Sequence, residues 1–337
     1  MKSIIKKLVD RQPITADEAA ESMKLIMSGK ATQAQMGAFI IGLRLTGETP
    51  EIIAACAEVM RAHATPIPCK DPNAIDIVGT GGDGAHTFNI STTAAFVIAG
   101  AGVTVAKHGS YGVSSRCGSA NVLEQLGINL TYSPEQMARC LEKIGIAFLF
   151  APALHPAMKH VVGPRRELGV WSLFNILGPL CNPASVRRGL TGVFKPELLP
   201  IVAEASQHLN VVHQLIVHGC DGLDEITTTA PTKMIEVKET ILQSLEFHPA
   251  EWDLPLADPR ELTGGEPEEN AAITRAILAG ELQGAKRDIV MVNAAFTLYT
   301  AGAVPTPREG FELAGESIDS GQATQKLTEL AALSQGE

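Results

Sequence analysis

The sequence predicts an α/β protein, with a small N-terminal helical domain and a large α/β domain built on a central, mostly parallel (mixed) sheet. Three observations lead there. Residues 1–65 carry apolar positions at helical spacing between clear cap signals. From Ile75 onward, short apolar runs alternate with longer helical segments, the pattern of a sheet covered on both faces. Glycine-rich segments then fall where those short runs end.

In chain order, Thr15 with Glu18 and Thr32 with Gln35 fit the capping box, and Gly29 stands where the first of these helices stops. Thr49-Pro50-Glu51 sets a cap, a first-turn proline and a first-turn acid in succession. Between them, Met23, Ile26, Met27 and Met36, Phe39, Ile40, Leu43 form stripes that read as core or subunit contact. The helical domain is expected over 1–68, joined in space by part of 165–190, and the α/β domain over 69–337. Strands are expected at Ile75–Val78, Val103–Ala106, Ala147–Phe150 and Gln214–Val217. Helices are expected over Thr93–Ala101 and Ser133–Leu141, the second opened by Ser133-Pro134. Gly264–Glu269 reads as a polar surface loop, and the last dozen residues read as an amphipathic helix with a frayed end.

Composition narrows the class. The chain has 337 residues, 45% hydrophobic and 19% charged, which indicates a globular protein with well-buried cores. A net charge of −10 argues against a nucleic-acid footprint, so an anionic substrate must be met by local cations or a metal. The six cysteines include no CxxC pair, consistent with reduced thiols. Neither a signal-peptide region nor a run of membrane-spanning length is expected, which places the protein in the cytoplasm and away from membranes.

Asp76-Ile77-Val78-Gly79-Thr80-Gly81-Gly82-Asp83-Gly84, followed by Asn89-Ile90-Ser91-Thr92, carries the most chemical information. Four glycines in six positions let backbone N–H groups approach a ligand, and a helix start beyond them favours an anion, most often phosphate. No Gly-Lys-Ser or Gly-Lys-Thr closes the loop as a Walker motif requires. The run matches GxGxxG literally, but Lys107 stands near the place of the ribose-binding acid, about 20 residues on. A phosphate loop of another kind is the better reading.

Lys107-His108-Gly109-Ser110-Tyr111 to Ser119 is a second glycine- and serine-rich loop. Taken alone it reads equally as a flexible surface loop; two such loops at successive strand ends fit two phosphate groups of one substrate. Asp221-Gly222-Leu223-Asp224-Glu225 follows another strand. Asp221-Gly222 suits a simple turn, whereas Asp224 and Glu225 beside anion loops suit Mg²⁺, which takes few carboxylates plus substrate oxygens. His155, Lys159 and Arg165 lie in a basic stretch that reads evenly as a solvated helix face or as a carboxylate-binding one. No Ser-His-Asp elbow and no catalytic cysteine frame is present.

Together these residues resemble the anthranilate phosphoribosyltransferase family of tryptophan biosynthesis. The resemblance spans nearly the whole chain: the glycine loop with Thr87 and Asn89-Ile90-Ser91-Thr92, Lys107-His108-Gly109 with Ser114, Ser115 and Ser119, Phe150-Ala151-Pro152-Ala153 with His155-Pro156-Ala157-Met158, Arg165-Arg166-Glu167-Leu168-Gly169, Phe174-Asn175-Ile176-Leu177-Gly178-Pro179-Leu180 with Asn182-Pro183, and the Asp221–Glu225 run. It implies a nucleoside-phosphorylase/phosphoribosyltransferase-like fold, usually a homodimer, with the active site between the domains. Carried over by position, Gly79, Gly82, Asp83, Thr87, Asn89, Ile90, Ser91, Thr92, Lys107, Ser115 and Ser119 would hold phosphoribosyl diphosphate. Ser91, Asp224 and Glu225 would hold Mg²⁺. Gly79, His108, Ser110 and Arg165 would meet anthranilate, Arg165 through its carboxylate. No residue is assigned as a proton-transfer catalyst, because an aniline nitrogen is neutral and positioning with charge stabilisation carries the rate.

Three positions depart from the family. Its usual Lys-His-Gly-Asn-Arg ends here in Ser110 and Tyr111, and its usual Gly-Val-Arg-Thr reads Gly169-Val170-Trp171-Ser172. Ser110 removes an amide donor from the acceptor site, and Tyr111 removes a guanidinium beside the diphosphate. The alternatives are a paralogous phosphoribosyltransferase with another aromatic or heterocyclic acceptor, a related nucleoside phosphorylase, or a non-catalytic binding relative. Arg165 favours a carboxylate-bearing acceptor in either transferase reading, and the Asp224-Glu225 pair speaks against a mere binding module.

Overall fold

The computed structural model describes residues 1–112 and 116–336. Four helices open the chain, at Lys2–Val9, Ala16–Met27, Gln33–Thr46 and Pro50–Ala62. The expected caps fix the starts of the last three. Glu18 N donates to Thr15 Oγ1 at 3.2 Å while Thr15 N donates to Glu18 Oε2 at 3.0 Å, and Thr32 with Gln35 repeats the exchange. Gly29 takes a left-handed φ of 70° just beyond the second helix. The predicted stripes are buried, and they share one core with Leu173, Phe174, Ile176, Leu177 and Leu180 of the helix Leu173–Leu180, with the helix Leu198–His208, and with Ile216 and Val237 from the sheet.

The sheet has seven strands: β1 (Ile75–Gly79), β2 (Val105–Gly109), β3 (Ile146–Phe150), β4 (Arg188–Gly192), β5 (His213–Gly219), β6 (Thr232–Lys238) and β7 (Ile241–Phe247). Their order is β3-β2-β1-β4-β5-β6-β7; the first five pair in parallel, while β6 and β7 add an antiparallel edge. The four expected strands are all present, with ends shifted by a few residues at most. The other three were not legible. Arg188-Gly189-Leu190-Thr191-Gly192 has two glycines in five positions and reads as a loop, yet it is the buried strand between β1 and β5, where pairing on both sides overrides propensity.

The chain winds outward in both directions from β1 and β4, so the topological switch point lies between them, with Gly79 opposite Gly192 at their carboxyl ends. The second large core lies on the sheet with the helices Ile90–Gly100, Ala285–Ala301, Pro307–Asp319 and Gln322–Gln335. Gly264–Glu269 departs from expectation and is not simply a surface loop. The helix Pro267–Leu278 begins inside it, Gly264 N donates to His86 O at 3.0 Å, and Thr263 pairs with Thr87. It seals the far side of the glycine-rich loop.

Candidate active site

β1 ends at Gly79 and the chain crosses the glycine loop to reach the helix Ile90–Gly100. Two backbone N–H groups of this path already meet acids from the segment after β5. Gly81 N donates to Asp224 Oδ2 at 2.6 Å, and Ser91 N donates to Glu225 Oε1 at 3.2 Å. Side chains are excluded on both flanks. A Cβ on Gly79 would lie 2.3 Å from Asp224 Oδ2, and one on Gly192 would lie 1.7 Å from the Asp224 backbone oxygen. The loop, β4 and the acidic segment therefore close on each other through glycine alone.

The acids are poised against ionisation. Burial, with the Asp83 charge beside it, raises Asp224 to about 7; burial, with the Asp224 charge, raises Glu225 to about 8. Glu225 is buried, and its Oε2 has no hydrogen-bond partner. A partnerless buried carboxylate oxygen beside a second acid, facing donors built for an anion, is a fit for a hard divalent cation. Among the described residues no three His, Cys, Asp or Glu side chains form a cage of their own, so the remaining ligands must come from a bound anion and from water, as Mg²⁺ coordination ordinarily allows.

Lys107, the central residue of β2, is buried beneath this pair. Its Nζ donates to Ile77 O at 2.6 Å and to Ser91 Oγ at 3.4 Å. Burial lowers its pKa, and the charges of Asp76 and Glu225 oppose that. Asn89 anchors the helix start: its Nδ2 donates to Cys117 O at 3.2 Å and its Oδ1 accepts from Asn270 Nδ2 at 3.1 Å. Thr92 and Ile90 are buried in that helix's first turn, whereas Gly82 is exposed. Ser119 Oγ donates to Ser110 O at 3.1 Å, closing the base of the second loop. Ser114 and Ser115 lie outside the described residues.

His108 and His155 make a buried pair, with Nε2 atoms 3.2 Å apart and ring centroids 5.1 Å apart. His108 Nδ1 sits 3.2 Å from the Gly178 carbonyl, which can only accept, so Nδ1 carries the hydrogen. His108 Nε2 then accepts from His155, and His155 Nδ1 is left buried without a partner. Burial and the neighbouring imidazole hold His108 down to about 3; burial holds His155 down to about 4. His155 thus faces His108 rather than sharing a helix face with Arg165, and Lys159 is exposed. Arg165 is partly buried; it lies over the Phe174 ring at 5.4 Å and donates to Asn175 Oδ1 at 3.5 Å, with its pKa lowered by burial.

Two of the three departing residues have side-chain partners in the structure. Tyr111 turns its hydroxyl to Glu124 Oε1 at 2.9 Å and its ring edge to Phe150. Trp171 packs between Arg44 and Phe194. Several contributors were not foreseen. Asp76 accepts from His108 N at 3.1 Å and from Asn182 Nδ2 at 2.8 Å. Asn293 clamps the backbone after Glu225, accepting from Ile226 N at 3.0 Å and donating to Ile226 O at 2.8 Å. An acid inside the apolar run Ile75-Asp76-Ile77-Val78 was a readable signal for the first; nothing local marks the second.

Comparison with known proteins agrees with this geometry. The chain matches the glycosyl transferase family helical bundle domain over residues 2–64 and the glycosyl transferase family a/b domain over residues 71–324. It is 50% identical to the anthranilate phosphoribosyltransferase of Acetivibrio thermocellus, covering 98% of this chain and 95% of that protein. The crystal structure of the Thermus thermophilus anthranilate phosphoribosyltransferase superposes with a TM-score of 0.94 at 41% identity, covering 98% of this chain and 99% of that one. The Saccharomyces cerevisiae enzyme in complex with PRPP and Mg superposes with a TM-score of 0.93 at 28% identity, covering 99% and 98%, and the same enzyme is known in complex with 4-fluoroanthranilate. With two domain models covering most of its length and a relative at half identity, this chain belongs to the anthranilate phosphoribosyltransferase family.

Proposed function

We propose that the chain transfers the phosphoribosyl group of phosphoribosyl diphosphate to the amine of anthranilate, releasing diphosphate, as a step of tryptophan biosynthesis. The observation that carries this reading is the closure of the glycine loop on Asp224 and Glu225 at the switch point, through Gly81 N and Ser91 N. In the donor half, Gly79, Gly82, Asp83, Thr87, Asn89, Ile90, Ser91, Thr92, Lys107 and Ser119 hold the phosphoribosyl diphosphate, chiefly through backbone donors and the helix start. Asp224, Glu225 and Ser91 would hold Mg²⁺, and the partnerless Oε2 of Glu225 supports that assignment. Bound there, the ion would neutralise charge growing on the departing diphosphate. In the acceptor half, Arg165 takes the carboxylate, while Gly79, His108 and Ser110 line the ring and amine. The amine nitrogen then forms the bond to the anomeric carbon as the bond to diphosphate breaks, and its proton passes to the departing diphosphate or to water.

The division into a helical domain over 1–68 and an α/β domain over 69–337 belongs to the same reading, as do a homodimeric state and a cytoplasmic location. Among the described residues no helix is long and apolar enough to cross a membrane. Calorimetry with phosphoribosyl diphosphate tests the site: binding should need Mg²⁺ and vanish in the double variant Asp224→Ala, Glu225→Ala. Equal binding without either acid would refute the assignment. Analytical ultracentrifugation tests the dimer, which a monomer at micromolar concentration would contradict.

A further inference from the structure

Trp171 has no role in the reaction as described, and its surroundings are unusual. Its ring lies 4.7 Å from the Arg44 guanidinium on the helix Gln33–Thr46 and 5.6 Å from the Phe194 ring, tilted by 56°. Phe194 follows closely after β4, and Lys195 lies 5.4 Å over it. The contacts therefore run cation, ring, ring, cation, from the first helices to just past β4. Phe194 also reaches the glycine loop: its N–H donates to Thr80 Oγ1 at 3.3 Å, and a Cβ on Gly82 would stand 4.0 Å from Phe194 Cγ. Thr80 N in turn donates to Gly192 O at 2.9 Å.

Two details argue that the ring is kept for its faces. The Trp171 Nε1 is buried with no acceptor, a cost that an aliphatic side chain would avoid. Arg44 is tethered from its other side by Glu48 at 3.4 Å, whose carboxylate is buried and has a second oxygen without a partner. Arg44 is itself exposed, so its contact with the ring is of the modest surface kind.

We propose that Trp171 is a positioning residue for the donor loop: in contact with both Arg44 and Phe194, it fixes Thr80–Gly82 in the form that receives the diphosphate. The proposal rests on the reading that this loop binds phosphoribosyl diphosphate. Occupancy of the loop is then felt at the Trp171 ring, and loss of the ring weakens donor binding without touching the chemical step.

The chain has two tryptophans, and Trp252 packs apart from this stack against Phe247, Phe296 and Phe311. Trp252→Phe therefore leaves Trp171 as the sole indole reporter. Titration of that protein with phosphoribosyl diphosphate and Mg²⁺ should shift or quench its emission. Trp171→Ala should raise the donor Kd and KM by roughly twofold to fivefold, the loss of one exposed cation–ring contact, with kcat at saturating donor unchanged. Trp171→Phe should recover most of the loss, and Arg44→Gln should reproduce part of it in a protein whose core ring is intact. Unaltered donor affinity in Trp171→Ala and Arg44→Gln, with silent emission from Trp252→Phe, would overturn the clasp alone. No calorimetric binding of the donor by the unaltered protein would overturn the loop reading and the clasp with it.

Discussion

The proposed donor half and the proposed acceptor half of the site are built from different materials. The donor half is mostly backbone: N–H groups of Gly81 and Ser91, glycines that admit no side chain, and two acids held against them. The acceptor half is mostly side chains: the His108–His155 pair, Arg165 over Phe174, and a loop in which Ser110 replaces the family's asparagine. Backbone groups are the same whatever the sequence, so the donor half is constrained through the glycines that expose them. Side-chain groups can be exchanged singly, and the departures near the acceptor follow that rule. Trp171 shows the limit of the division, because it touches Phe194 beside the donor loop.

The comparison breaks most sharply at the acids. Asp224→Ala with Glu225→Ala should abolish turnover, by about 10³-fold or more, as expected where charge stabilisation carries the rate. The same variant should keep or gain thermal stability, since it removes two buried carboxylates that resist ionisation. Lost stability together with retained turnover would make the pair structural. Next in size, Arg165→Ala should raise the anthranilate KM by roughly 10–100-fold while leaving donor affinity alone, the loss of a charge-assisted carboxylate contact worth about 1.5–3 kcal/mol. A matched loss of donor affinity would show that the two halves are not separable.

The histidine pair sharpens the contrast through pH. Both imidazoles are held neutral, His108 down to about 3 and His155 down to about 4, against an ordinary value of 6.5. A depressed folded-state value means that the unfolded chain binds protons first. Their contribution is present above pH 6.5 and is lost as pH falls through the range toward 4 and 3. Thermal melts should fall in that window, by several kcal/mol in all, and His155→Gln should flatten the slope. A slope unchanged in that variant would assign the acid sensitivity elsewhere. The smallest effect is expected from Ser110→Asn with Tyr111→Arg, which should improve the anthranilate specificity constant by about fivefold, one hydrogen bond's worth. An arginine at 111 would still face Glu124, so most of the gain should come from the asparagine.

Much of this was legible because it is written locally. Capping boxes at Thr15 and Thr32, the glycine loop after an apolar strand and the Asp224-Glu225 pair each follow from neighbours in sequence. What was hidden depends on chain segments far apart. β4 is glycine-rich because Gly192 must pass the Asp224 backbone, and only the folded sheet shows that. Asn270 reaches Asn89, and Asn293 holds Ile226, across gaps of 181 and 67 residues, and helical pattern alone gives no sign of either. His155 was read as part of a basic face, because the spacing gave no hint that β2 would bring His108 against it.

The most direct test is a steady-state assay with phosphoribosyl diphosphate, Mg²⁺ and anthranilate, following the loss of anthranilate fluorescence. Turnover of about 1 s⁻¹ or faster, in the ordinary range for enzymes, and dependence on added Mg²⁺ are expected. A protein that binds the donor with Mg²⁺ yet leaves anthranilate untouched would contradict this, and would assign the altered Ser110–Tyr111 loop to a different acceptor.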